Sequence, residues 1–172
     1  MPRTSVKIWQ RSALSAAASA TAVVSEPPRP SVVISAPWTS LGLAPPPDDA
    51  LTVSLFCYPN DALPALFDAW ANDDAPVACL VPDGVATAAI DRFLHGALPR
   101  PGGVARAGNL ALAVVPFVDQ GAFDRRLWAC DLDIVRGEDS FVRALWAAQP
   151  LVWHAYPQPE GAHRAKLASA IY

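Results

Sequence analysis

The chain has 172 residues, with 13 Lys and Arg against 16 Asp and Glu and 3 His, for a formal net charge of −3. Hydrophobic residues make up 52% and charged residues 17%, which excludes a chain disordered throughout and supplies no basic surface for nucleic acid. No apolar run approaches the ~20 residues of a membrane-spanning helix, so neither a membrane nor a nucleic acid is an expected partner.

Residues 1–36 carry Arg3, Lys7 and Arg11, then an Ala/Ser run, then Pro-rich sequence. The apolar part is Ala/Ser rather than Leu-rich, unlike an export signal, so this stretch reads as a poorly defined or disordered N-terminal segment. Residues 37–50 form a Pro-rich lead-in ending in Pro45-Pro46-Pro47, and 51–172 read as the folded domain. Within it, 51–58 (LTVSLFCY) is an expected buried strand. A helix over 61–71 follows, with Leu63, Leu66, Phe67 and Trp70 on one face; Pro64 is tolerated because it lies in the first turn. Residues 77–81 form the second strand. A helix over 86–94 turns Ile90, Phe93 and Leu94 inward, and 96–108 is a loop rich in Pro and Gly. A strand over 110–117, a helix over 119–129, a short strand over 132–135, a helix over 140–147, a strand over 151–156 and a helix over 162–171 complete the series.

Strands alternating with helices at this spacing imply right-handed crossovers, hence a Rossmann-like parallel sheet of the α/β class with helices on both faces. Such sheets bind ligands beyond the carboxyl ends of their strands. The loops to examine are therefore 56–60 (FCYPN), 116–123 (PFVDQGAF) and 135–141 (VRGEDSF). In the last, Asp139 or Ser140 suits a helix N-cap. The same loop also offers a helix N-terminus, a glycine for close backbone approach and the Arg136 fork, which together suit a diphosphate. Phe56, Tyr58, Phe117 and Phe123 fall at the same sheet edge and suit a slot for a base, with Gln120 at its edge; aromatics at strand ends also serve as core. His154, at an apolar strand end, reads as a core histidine, and Asp131 and Asp133 as turn markers. Cys57, Cys79 and Cys130 are widely spaced and read as buried, reduced thiols, as in the cytosol. No metal-ligand cluster and no nucleophilic triad stands out.

Three runs together, 53–58 (VSLFCY), 116–126 (PFVDQGAFDRR) and 124–158 (DRRLWACDLDIVRGEDSFVRALWAAQPLVWHAYPQ), resemble the bacterial elongation factor P arginine rhamnosyltransferases, the EarP family. The resemblance runs from about Trp38 to Lys166. It implies the C-terminal, donor-binding domain of a GT-B glycosyltransferase, an inverting enzyme of the cytoplasm that needs no cofactor or metal. The implied reaction moves L-rhamnose from dTDP-β-L-rhamnose to an arginine of elongation factor P, the acceptor partner. By position, Phe56, Phe117 and Phe123 would line the thymidine site, Gln120 would bond the base and Tyr58 would lie beside the donor. Arg136, Asp139 and Ser140 would hold the diphosphate and sugar, and Glu138 would support catalysis nearest the rhamnose. The chain departs from the family at Leu145, commonly Gln, and at Asp133, often Asn. The family's general-base aspartate, near the start of its N-terminal domain, has no counterpart here. The expectation is thus a donor-binding half, truncated at its C-terminus too and inactive alone. A non-catalytic remnant of a disrupted frame, or a domain for another nucleotide-sugar, are the competing expectations.

Overall fold

Short β-branched and aliphatic runs closed by Pro, Asn or Gly produce the strands, and stretches with apolar residues three and four apart produce the helices. The computed structural model describes residues 23–24 and 35–156. In chain order these hold β1 (Val23–Val24), α1 (Ser35–Ser40), β2 (Leu51–Leu55), α2 (Leu63–Ala71), β3 (Val77–Pro82) and α3 (Thr87–Phe93). Then come β4 (Val104–Ala107), β5 (Leu110–Val115), α4 (Gln120–Trp128), β6 (Leu132–Arg136), α5 (Gly137–Ala147) and β7 (Leu151–His154). The strands form one seven-stranded sheet in the order β1-β7-β6-β2-β3-β5-β4. All inner pairings are parallel, while β1 runs antiparallel to β7 and β4 antiparallel to β5. The architecture is therefore the α/β class expected, with antiparallel strands added at both edges.

Both faces of the sheet are covered, as parallel pairing requires. On one, Val53, Leu55, Cys79, Val81 and Leu112 pack under Leu63, Phe67 and Trp70 of α2 and Ile90 of α3. On the other, Val135, Leu151 and Trp153 pack under Leu127 of α4 and Phe141 and Ala144 of α5. Ala78, Leu80, Ala113 and Val115 meet Trp38 of α1 and Leu43 just after it. The Pro-rich lead-in thus contributes to the core.

Three sequence expectations change. The expected loop over 96–108 contains β4, which pairs Val104 with Ala113 through Ala107 with Leu110. Its residues alternate between exposed and half-buried, so an edge strand forms without the apolar run that marks an inner one. The helix expected at 140–147 begins at Gly137, because glycine accepts the φ of +66° that starts it. Neither Asp139 nor Ser140 is then its cap. Arg136, extended at φ −126° and ψ 158°, holds that position, and no side chain caps the helix. The strands expected to run to 58, 117 and 156 stop at Leu55, Val115 and His154, which frees Phe56, Tyr58, Phe117 and Tyr156 to turn toward one another. The expected helix over 162–171 lies outside the described residues.

Asp131 and Asp133 are more than turn markers. Asp131 accepts from the Thr52 backbone N–H at 2.9 Å and the Thr52 hydroxyl at 2.7 Å, fastening the start of β6 to β2. Asp133 is wholly buried within β6. Among the described residues no helix is long and apolar enough to cross a membrane.

Candidate functional site

β2 lies between β6 and β3. From β2 the chain steps through α2 to β3 and through α3 and β4 to β5, then returns through α4 to β6 on the other side of β2. The loops after β2 and β6 therefore diverge, and the crevice between their carboxyl ends is where such sheets take ligands.

Loop and strand ends bring the aromatic residues together there. The Phe56 ring lies 6.2 Å from Phe117 and 5.6 Å from Phe123, both edge-to-face. Phe117 is 61% exposed, so the cluster presents an open aromatic surface to the crevice rather than a sealed core. Its loop is held from below: Arg126, buried on α4, donates to the Pro116 carbonyl at 3.2 Å. Asp119 caps α4 by accepting from the Ala122 N–H at 2.8 Å, which sets Gln120, exposed, at the first helical position.

Arg136 ends β6 and joins this cluster to the helix behind it. Its guanidinium carbon stands 4.4 Å from the Phe56 ring centre and 5.0 Å from that of Tyr58, a cation–π arrangement that leaves donors on the guanidinium edge. One of its nitrogens reaches the Cys57 carbonyl at 3.4 Å. Tyr58 packs edge-to-face on His154 and on Tyr156, each at 5.4 Å. Burial and then the nearby Arg136 charge hold the His154 imidazole below its usual range. Burial likewise pushes the Cys57 thiol up to about 11 against the opposing pull of Arg136, so this sulfur is no nucleophile at neutral pH.

Gly137 follows, and α5 starts without a side-chain cap, with the positive end of its dipole at the carboxyl end of β6. The Trp153 indole N–H donates to the Gly137 carbonyl at 2.8 Å and its ring stacks on Phe141 at 4.3 Å, fixing that end to β7. Glu138 and Asp139 are exposed on the first turn, and Ser140 is half-buried beside them. Asp139 pairs with Arg143 at 3.2 Å, and Arg143 also pairs with Asp124 of α4 at 2.8 Å. On the far side of Arg136 a cleft of about 270 Å³ opens between the loops after β2 and β3, lined in part by Cys57, Asn60, Thr87 and Arg92.

The structure thus brings Phe56, Tyr58, Phe117, Phe123 and Arg136 into one contact network, with Gln120, Glu138, Asp139 and Ser140 on the two helix starts around it. Tyr156 and Arg126 belong to the same region and were not singled out from the sequence, and His154, read there as a core histidine, is half-buried against Tyr58 at its edge. Among the described residues no group of three or more His, Cys, Asp or Glu is placed to hold a metal ion.

An aromatic surface, a stacked arginine and an uncapped helix start at the switch point of an α/β sheet make this crevice the candidate ligand site of an α/β domain. The family model described as Elongation-Factor P (EF-P) rhamnosyltransferase EarP matches residues 16–172, wider than the stretch traced by motif, and the chain belongs to that family. Among its relatives, the protein-arginine rhamnosyltransferase of Pseudomonas putida is 49% identical over 122 residues, covering 71% of this chain and 32% of the relative. That of Shewanella oneidensis is 42% identical over 139 residues, covering 78% and 35%. A solved structure addressing EarP-mediated arginine glycosylation of translation elongation factor EF-P aligns with a TM-score of 0.69 and 38% identity, over 93% of this chain and 46% of that one. The chain therefore spans about a third of the length of these curated relatives.

Proposed function

We propose that this chain is the donor-binding part of a protein-arginine rhamnosyltransferase that uses dTDP-β-L-rhamnose and an arginine of elongation factor P. The observation that carries the reading is the Arg136 guanidinium, stacked on Phe56 and Tyr58 immediately before the uncapped start of α5. A cation and free amides at one point suit a diphosphate, and adjoining open aromatic rings suit a base. In this reading thymine stacks among Phe56, Phe117 and Phe123, with Gln120 at its polar edge and Tyr58 beside the donor. Arg136, Asp139 and Ser140 hold the diphosphate and sugar region, and Glu138 organises the reacting end.

The transfer is inverting. An acceptor guanidine nitrogen forms the new bond to the anomeric carbon while the bond to the diphosphate oxygen breaks, and the guanidine's proton leaves to a base. Arg136 and the α5 amides stabilise the charge that develops on the leaving diphosphate, which is where fixed dipoles contribute most. No residue here matches the family's general base, so donor binding without transfer is the outcome expected for these 172 residues alone.

A titration panel tests the donor. dTDP-rhamnose is expected to bind more tightly than UDP-glucose or GDP-mannose, and equal affinity across the panel would overturn the thymidine assignment. Rhamnosylated elongation factor P, detected by mass spectrometry with this chain as sole enzyme, would overturn the assignment of donor binding without transfer.

A further inference from the structure

Tyr58 has no partner on its own loop that fixes its ring. Its position comes from β6 and β7. In their parallel register Arg136 lies opposite His154, which places both side chains on one side of the sheet at its carboxyl edge. Tyr58 sits against both, with Arg136 over its ring at 5.0 Å and the His154 ring against it at 5.4 Å, at an interplanar angle of 81°. The outcome is visible at the hydroxyl: a Cβ built on Gly137 would lie 3.5 Å from the Tyr58 Oη. The phenol therefore stands over the first residue of α5, at the positive end of the helix dipole, where no side chain caps the helix.

We infer that His154 is a positioning residue for the donor site, whose ring holds the Tyr58 ring so that its hydroxyl meets the ligand at the start of α5. The inference rests on the donor-site reading above. The groups facing His154 are Arg136 from β6 and Tyr58 from the loop after β2, and Tyr156 packs on the same Tyr58 ring. A charged imidazole would place a second cation beside Arg136, whereas burial and the Arg136 charge both favour the neutral ring. An uncharged aromatic is what the Tyr58 contact uses, so phenylalanine is the conservative replacement.

The test compares thymidine diphosphate, by calorimetry, with thymidine, by saturation-transfer NMR, on the full chain as wild type, His154→Ala and His154→Phe. His154 packs on Tyr58, whereas the aromatic slot is built from contacts among Phe56, Phe117 and Phe123, so the two ligands separate a local effect from general damage. His154→Ala is expected to weaken the diphosphate about tenfold, the scale of one charge-assisted hydrogen bond, and thymidine less than about twofold, with His154→Phe restoring the diphosphate affinity. Unchanged diphosphate binding in His154→Ala, an equal loss of both ligands, or no restoration by phenylalanine would overturn the inference. A wild-type chain that binds no thymidine diphosphate would instead overturn the donor-site reading, and the inference with it.

Discussion

Gly137 occupies a position that no other residue fills without cost. At φ +66° it turns the chain from β6 into α5, and an added Cβ would meet the Tyr58 hydroxyl at only ordinary contact distance, 3.5 Å. Conformational strain therefore outweighs steric clash. Gly137→Ala is expected to cost about 1–2 kcal/mol and to lower Tm by several degrees in thermal melts. An unchanged Tm would show that the turn tolerates an L-residue. His154 adds a pH dependence. Its pKa is lowered on folding by burial and then by Arg136, so the unfolded chain binds the proton more readily. The stability this group contributes is complete above its unfolded value, about 6.5, and declines as pH falls below that. Melts at pH 7.5 and 5.5 are expected to show a drop in Tm that is smaller in His154→Phe, and an equal drop would remove His154 as its source. Arg136 and the aromatic residues were legible because their types suit a diphosphate and a base and because strand ends are where such groups gather. His154 and Tyr156 were not, since their contacts to Tyr58 depend on the β6–β7 register and on strands ending earlier than their apolar runs.

At the scale of elements, the inner strands and the helices between them follow from apolar runs and Gly or Pro punctuation, and their order in the chain is the order in which they were read. β4 and α1 show why the rest was hidden. β4 is an edge strand of Val104, Ala105, Arg106 and Ala107, whose pairing comes from the tight Gly108-Asn109 connection to β5 rather than from burial. Gly108, at φ +53°, sits so near α2 that a Cβ would fall 2.1 Å from the Ala71 carbonyl oxygen, a constraint visible only in three dimensions. α1 spans six residues with a proline inside, and its value lies in what it delivers: Trp38, 3% exposed, covering β3 and β5. Trp38→Ala is expected to cost about 3–5 kcal/mol in denaturant unfolding. Trp38→Phe should cost less, because the indole N–H meets no hydrogen-bond acceptor among the described residues. A loss below about 1 kcal/mol for the alanine variant would mean that this segment does not belong to the core.

The whole molecule brings its charges to bear locally. With a net charge of −3, the chain offers an anionic ligand no general attraction, so in the proposed function binding would rest on one stacked guanidinium and one helix start at the crevice between β2 and β6. The aromatic surface, the arginine and the helix start all belong to one sheet edge in a chain that spans about a third of the relatives' length. With Arg136 proposed as the cation for the donor diphosphate, isothermal titration calorimetry of dTDP-β-L-rhamnose against the wild-type chain and Arg136→Ala is the decisive measurement. Saturable binding to the wild type is expected, with a loss of about tenfold or more in Arg136→Ala, the scale of hydrogen bonds to a charged group. No binding to the wild type, or the same affinity in the variant, would contradict that role for Arg136.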